Sequence, residues 1–394
     1  MRVIRRFWLA SLILGLGLGL LAISGCGGGG SGGGGDGGEP VRPDKTIPGI
    51  QSEVVASAAD RVSSMAFAPD GRLFLTELSS GNIRIITPSG ELLPEPFAHV
   101  DVRTGTEWGL LGVEIDPEFE QNHYVYVYFT QPVEGDPAGA RPVLIRLTAA
   151  GDKGENPETL IEFPLASPEV QGHVGGGLRF GPDGYLYLSI GETTREELAQ
   201  DLSSPFGKIL RLTRNGEAAP DNPFVDDPEA DPRVFAYGLR NAFAIAFDPD
   251  SGRLYAADNG DVNCDELDII EAGKNYAWPQ SFHRGEFPCR NPDGVEAIYY
   301  YRLPGKEPNE SSSSVAPTGL DFVSGDVYPA LGDGLLVCEF KTSFMRRLQF
   351  AGPGKDAVTD DSVAVQDCQV AVTTSPDGVA YYSNGVEVKR LPPQ

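Results

Sequence analysis

Phe180-Gly181-Pro182-Asp183-Gly184-Tyr185-Leu186-Tyr187-Leu188 is the stretch that decides the fold. Pro presets φ for a turn, Asp caps it, and Gly accepts a positive φ. The tail that follows alternates with period two, the signature of a strand. The phrase returns as Phe67-Ala68-Pro69-Asp70-Gly71, Ile115-Asp116-Pro117-Glu118, Phe247-Asp248-Pro249-Asp250 and Thr374-Ser375-Pro376-Asp377-Gly378. Successive prolines lie 48, 65, 67 and 127 residues apart, and the long gap holds one degenerate copy between Phe322 and Leu336. There the turns come from Gly325-Asp326 and Gly332-Asp333-Gly334. A single small sheet cannot bury its faces alone, whereas blades stacked in a ring can. Six units predict an all-β, six-bladed β-propeller. A β-sandwich, the other turn-rich arrangement, gives its strands no reason to repeat a phrase.

Outside the repeats the ends differ in kind. Arg2, Arg5 and Arg6 precede an apolar run from Phe7 to Ile23, followed by Ser24-Gly25-Cys26. That is the layout of a secretory signal, too short for a spanning helix. Small residues directly before a Cys resemble a bacterial lipobox, which makes Cys26 the residue to be lipidated; the other reading is an ordinary signal with an incidental Cys. Residues 27–38 are Gly with one Ser and one Asp, a flexible tether. The expected organisation is a signal peptide over 1–25, a lipidated Cys and tether over 26–48, and the propeller over 49–394. The protein is then exported and held at the bacterial cell envelope, touching membrane only through its lipid.

Charge narrows the partners. With the three leader arginines removed, 28 Lys and Arg face 56 Asp and Glu. Such an excess of negative charge argues against nucleic acid or an anionic membrane surface, and mildly favours a monomer or weak homo-oligomer. Four cysteines remain after Cys26, an even number in an exported chain. Cys264 with Cys289 and Cys338 with Cys368 are the pairings nearest in sequence; four buried thiols are the alternative. No CxxC occurs, and His99, His123, His173 and His283 are the whole histidine complement, which argues against a zinc cluster.

Chemistry in a propeller comes from loops at one end of the blades. Gly172-His173-Val174-Gly175-Gly176-Gly177 sets one imidazole among glycines that let backbone approach a ligand. His173 is either a proton acceptor or a strand cap bonded to backbone. Arg240, in Tyr237-Gly238-Leu239-Arg240-Asn241, sits between apolar stretches and would take an anionic ligand or a carboxylate. Asp258-Asn259-Gly260-Asp261-Val262-Asn263-Cys264-Asp265-Glu266 is dense in oxygen ligands of the kind calcium uses, without EF-hand spacing; an acidic solvated loop is the other reading. Lys341 follows an apolar strand. Glu107 would bind a hydroxyl-rich ligand on which Trp108 stacks, unless Trp108 packs between blades.

Together these segments resemble the glucose/sorbosone dehydrogenase family, soluble aldose dehydrogenases that use pyrroloquinoline quinone. The matching phrases include Gly109-Leu110-Leu111-Gly112, His173 to Gly184, Gly207-Lys208-Ile209-Leu210-Arg211, Asp221-Asn222-Pro223-Phe224, Tyr237 to Asn241, Asp258-Asn259-Gly260, Gly273 to Pro279 and Ala316-Pro317-Thr318-Gly319-Leu320. The resemblance implies His173 as catalytic base toward the anomeric hydroxyl of an aldose, with hydride passing to the quinone and a lactone as product. It implies Glu107, Arg240, Asn241 and Lys341 around the cofactor, carbonyls of Gly260 and Asp261 on a calcium ion, and Glu266 with the Tyr276 carbonyl on a second calcium. An external electron acceptor would reoxidise the cofactor. The chain departs from the family pattern at Gly177, where an Arg is usual, at Gly191-Glu192, where Gly-Asp is usual, in the short loop Thr193 to Ala199, and in the serine run Ser311 to Ser314. Two other functions fit a propeller with these loops. One is a non-catalytic binding module, which the missing Arg keeps open. The other is a calcium-dependent lactonase, which would not require His173, Arg240 and Lys341 in combination.

Overall fold

Each copy of the repeated phrase closes a hairpin between the innermost strand of a blade and the strand beside it. The structure, a computed structural model, describes residues 43–166, 172–279, 289, 291, 293–308, 310 and 312–394. Residues 1–42, where the sequence led us to expect a signal segment, the lipidated Cys26 and a tether, and His283 lie outside the described residues.

Six four-stranded antiparallel sheets make a six-bladed propeller, the fold read from the repeats. The first strands of the blades are Val62–Phe67, Leu110–Ile115, Leu178–Phe180, Ala242–Phe247, Pro317–Val323 and Val372–Thr374. They contact one another around the ring and so line its axis. The last blade takes its outer strand from the other end of the chain: Glu53–Ser57 pairs with Glu387–Arg390. This closure ties the two ends of the chain to each other with backbone hydrogen bonds within one blade. The chain meets the propeller slightly ahead of the expected boundary at residue 49. Thr46 bridges Val363, with Ile47 N donating to Val363 O and Val363 N to Lys45 O, both at 2.9 Å.

The turns repeat in detail. Gly71 N donates to Ala68 O, Gly184 N to Gly181 O and Gly378 N to Ser375 O, at 2.8–2.9 Å. Those glycines have φ of 84°, 79° and 81°, a conformation in which a side chain is strained. In the fifth blade, Gly325 N donates to the Asp333 carboxylate at 2.8 Å, so the two turn signals of the degenerate copy meet across one loop.

Between the blades the apolar residues form six clusters, one at each seam. Trp108 is fully buried in the seam between the second and third blades, so it packs between blades and does not stack on a ligand. Cys264 is joined to Cys289 and Cys338 to Cys368, with Cα atoms 5.6 and 5.2 Å apart. No helix among the described residues is long and apolar enough to cross a membrane.

Candidate active site

Antiparallel pairing sets the geometry of the site. The start of each inner strand lies beside the end of the second strand, so the repeated turns fall on one face. The connections that enter the inner strands fall on the other. Arg61, Glu107, His173, Arg240 and Ala316 each stand just before an inner strand, and Glu192, Gly260 and Lys341 just after a second strand. His173, Glu107, Arg240, Asn241, Gly260, Asp261 and Lys341 all line one cavity of about 300 Å³ on that second face. The volume lies at the lower end of the ~300–1,000 Å³ typical of small-molecule sites.

His173 is held on three sides. Its N–H donates to Glu107 Oε2 at 2.7 Å, its carbonyl accepts from Thr193 N at 2.9 Å, and its Nδ1 lies 2.9 Å from Glu192 Oε1. A carboxylate only accepts, so Nδ1 carries a proton, and in the neutral imidazole the lone pair then lies on Nε2. His173, Thr193 and Thr194 have φ of 53°, 56° and 64°, left-handed values that side chains rarely adopt. Such backbone persists where its surroundings impose it, typically at functional sites. Glu192 itself is 1 % exposed. In the sequence it stands out only as a departure from the usual Gly-Asp; its pairing with His173 crosses a loop and has no local signature.

Glu107 Oε2 also accepts from Asn241 Nδ2 at 3.1 Å, and Asn241 Oδ1 accepts from Gly175 N at 3.1 Å. One carboxylate and one amide thus lock the glycine loop of the third blade to the entry of the fourth. Gly177 belongs to the same region. A Cβ there would meet Ser189 Oγ at 2.7 Å and Ile245 N at 3.0 Å, so the side chain usual in the family has no room in this ring.

Arg240 is anchored rather than free. Its Nη1 donates to Asn259 O at 2.9 Å and Gly260 O at 2.8 Å, its Nη2 lies 3.4 Å from Asp261 Oδ1, and its guanidinium sits over the Trp278 ring. The acidic loop divides by role. Asp258 accepts from Arg240 N at 2.8 Å and Asn241 N at 2.6 Å, while Asp265 accepts from Gly260 N, Ser314 Oγ, Val315 N and Ala316 N at 2.6–3.0 Å. Both carboxylates brace the cavity wall through these bonds. Burial pushes the Asp258 carboxyl up to about 6 despite those donors.

Glu266 and Tyr276 lie outside the lining of the cavity, and both are fully buried. Among the described residues, Glu266 Oε1, both carboxylate oxygens of Asp268 and Asn291 Oδ1 are buried without a hydrogen-bond partner. Burial, together with the neighbouring charges of Asp258 and Glu296, pushes the Glu266 and Asp268 carboxyls well up; Asp268 adds to the effect on Glu266. Unpartnered buried carboxylates cost several kcal/mol each unless a cation or proton joins them (~2–7 kcal/mol for a polar group alone). No group of three or more His, Cys, Asp or Glu side chains among the described residues is arranged to hold a metal. A cation here would therefore draw on amide and carbonyl oxygens beside the two carboxylates, the mixed oxygen set that suits calcium.

Sequence reading missed Arg61. It lines the cavity, and its guanidinium lies 5.3 Å from the centre of the Phe340 ring.

A propeller whose axial well holds a carboxylate-backed imidazole and several cations defines the class. The Glucose / Sorbosone dehydrogenase family pattern matches residues 59–388, and the chain belongs to that family. The aldose sugar dehydrogenase YliI of Escherichia coli (strain K12) is 29 % identical over 346 residues, spanning 84 % of this chain and 89 % of that protein. The crystal structure of the soluble aldose sugar dehydrogenase of Escherichia coli, in its apo form, superposes with a TM-score of 0.76 at 26 % identity, covering 88 % of this chain and 100 % of that one. The PQQ-bound aldose sugar dehydrogenase of Streptomyces coelicolor has the same fold, with a TM-score of 0.67 at 24 % identity, covering 89 % and 99 %.

Proposed function

We propose that the protein oxidises the anomeric hydroxyl of an aldose sugar to a lactone, using pyrroloquinoline quinone and calcium. The observation that carries this reading is the convergence of His173, Arg240 and Lys341 in one well, with Glu192 behind the imidazole.

The quinone, when bound, would supply the two-electron acceptor for the hydride that leaves the anomeric carbon. The chain's own residues do the rest. His173 Nε2 takes the hydroxyl proton as general base, and the Glu192 carboxylate fixes the tautomer and stabilises the imidazolium that results. Arg240 and Lys341 attract the anionic cofactor into a strongly acidic protein. Among the described residues Lys341 makes no side-chain hydrogen bond and no ion pair, which leaves its ammonium available. Asn241 and Glu107 hold the glycine loop so that the imidazole keeps its position. In the well, Gly260 and Asp261 would offer oxygens to calcium; the Gly260 carbonyl would share its lone pairs between the metal and Arg240. Glu266, Asp268, Asn291 and the Tyr276 carbonyl would hold a second, structural calcium, which answers the unpartnered oxygens there.

Export, lipidation at Cys26 and anchoring at the cell envelope complete the proposal, along with an external electron acceptor and a monomer or weak homo-oligomer. The two disulfides are at home in an oxidising compartment.

Reconstitution tests the activity: purified protein with quinone and calcium, a redox dye, and a panel of aldoses. Dye reduction by at least one aldose is expected. No reduction by any, alongside lactone hydrolysis without quinone, would instead make the protein a lactonase. Quinone binding without turnover would leave a binding module.

A further inference from the structure

Arg61 is an oddity in so acidic a molecule. Among the described residues most arginines have a carboxylate within 4 Å, and Arg195 and Arg253 donate instead to the carbonyls of Leu165 and Gly354; Arg103 also lacks both, but it does not line the cavity. The Arg61 guanidinium has neither: among the described residues it makes no hydrogen bond and no ion pair, and its one side-chain partner is the Phe340 ring.

The nearby acids are already occupied. Asp60, the adjacent residue, accepts from Arg61 N at 2.7 Å, Ser79 N at 2.6 Å and Ser80 N at 2.7 Å. Glu77 accepts from Ala59 N, Ser80 Oγ, Asn82 Nδ2 and Arg84 Nη1 at 2.9–3.4 Å. Meanwhile the Arg61 backbone is fixed, its carbonyl accepting from Leu78 N at 2.8 Å. A fixed backbone and a ring beneath the guanidinium hold the cation over the cavity while its donors stay unspent. Phe340 is 39 % exposed, an unusual place for a large apolar ring, and the next residue is Lys341. Two cations and a ring from opposite ends of the chain therefore meet at one side of the well.

We propose that Arg61, stacked on Phe340, binds a carboxylate of a molecule seated in the well. This rests on the proposed function only for the identity of that molecule. Its carboxylate comes from the quinone or from an acidic sugar such as a uronic acid; both present the same group to the fork of the guanidinium.

The test compares wild type, Arg61→Gln and Arg61→Lys. Because the side chain makes no hydrogen bond, both variants are expected to keep the wild-type melting temperature. Calorimetry measures quinone Kd in calcium buffer, and steady-state kinetics measure KM for glucose and for glucuronate. Removing one charge-assisted hydrogen bond at a site open to solvent corresponds to about tenfold in affinity. A tenfold weaker quinone Kd in Arg61→Gln, partly restored in Arg61→Lys, assigns the interaction to the cofactor. An unchanged Kd with KM raised tenfold for glucuronate and not for glucose assigns it to the substrate. If Kd and both KM values stay within twofold, the proposal is overturned. Should wild type bind no quinone, the proposed function falls separately, and citrate titration then decides for Arg61. Citrate bound by wild type and not by Arg61→Gln upholds the carboxylate site; equal behaviour of the two rejects it.

Discussion

The two faces of this propeller follow different rules. On one, turns built on a common phrase recur, and in the first, third and sixth blades they repeat the same residues and the same hydrogen bond. On the other, every connection is different, and each contributes its own side chain to a single well. The repeated face is local: Pro, Asp and Gly satisfy a turn within a few residues of themselves. The well face is long-range, because His173 depends on Glu107 and Glu192, and Asn241 on Glu107, across three blades. Stability is therefore expected to respond to changes on the first face, and chemistry to changes on the second.

Glu192→Gln should break the separation most strongly on the chemical side. Turnover is expected to fall about 10²-fold, with quinone Kd unchanged, because the imidazole loses its charged partner. Removing calcium comes next. EGTA should lower the stability of the protein by about 2–3 kcal/mol at a hundredfold excess of calcium over its Kd. In a Glu266→Gln, Asp268→Asn double variant, which keeps only the calcium of the well, the chelator should shift melting less than in wild type; a wild-type melting curve indifferent to EGTA would contradict the structural calcium. On the repeated face, Gly184→Ala forces a side chain into φ of 79° and should cost about 1 kcal/mol in urea unfolding, with kcat intact.

The smallest effect comes from the axis itself. Glu114, on an inner strand, lies 3.4 Å from Arg179, and burial pushes its carboxyl up to about 7. Arg179 and a backbone donor at Phe180 oppose that shift, while Asp321 adds to it. The folded state thus holds this proton more tightly than the unfolded chain. Its contribution to stability is full below the ordinary carboxyl range and is lost as pH rises through about 7. Between about pH 8 and pH 6, wild type should gain roughly 1 kcal/mol relative to Glu114→Gln. Equal pH dependence of the two proteins would remove Glu114 from the account.

The same contrast explains what could be read from the sequence. Blade number and the turn positions were legible because one phrase carries both, and even the degenerate copy between Phe322 and Leu336 retained its turn residues. His173, Arg240 and Lys341 were legible as odd residues at strand ends, and the structure brings all three to one cavity. Glu192 and Arg61 were not. Glu192 matters through an imidazole brought to it from another loop, and Arg61 through donors left unspent because Asp60 and Glu77 are engaged elsewhere. The roles of Asp258 and Asp265 within the acidic loop were hidden for the same reason: they accept from backbone N–H groups of other segments, which spacing alone does not disclose.

The central claim is that the well is a redox site with His173 as its base. The direct measurement is the absorbance of bound quinone after one addition of aldose, without dye, in wild type and in His173→Ala. The account predicts rapid bleaching to the reduced form in wild type and, at equal quinone occupancy, a rate lower by about 10²–10⁴-fold in the variant. Bleaching at the same rate in both, or quinone bound by neither, would contradict it.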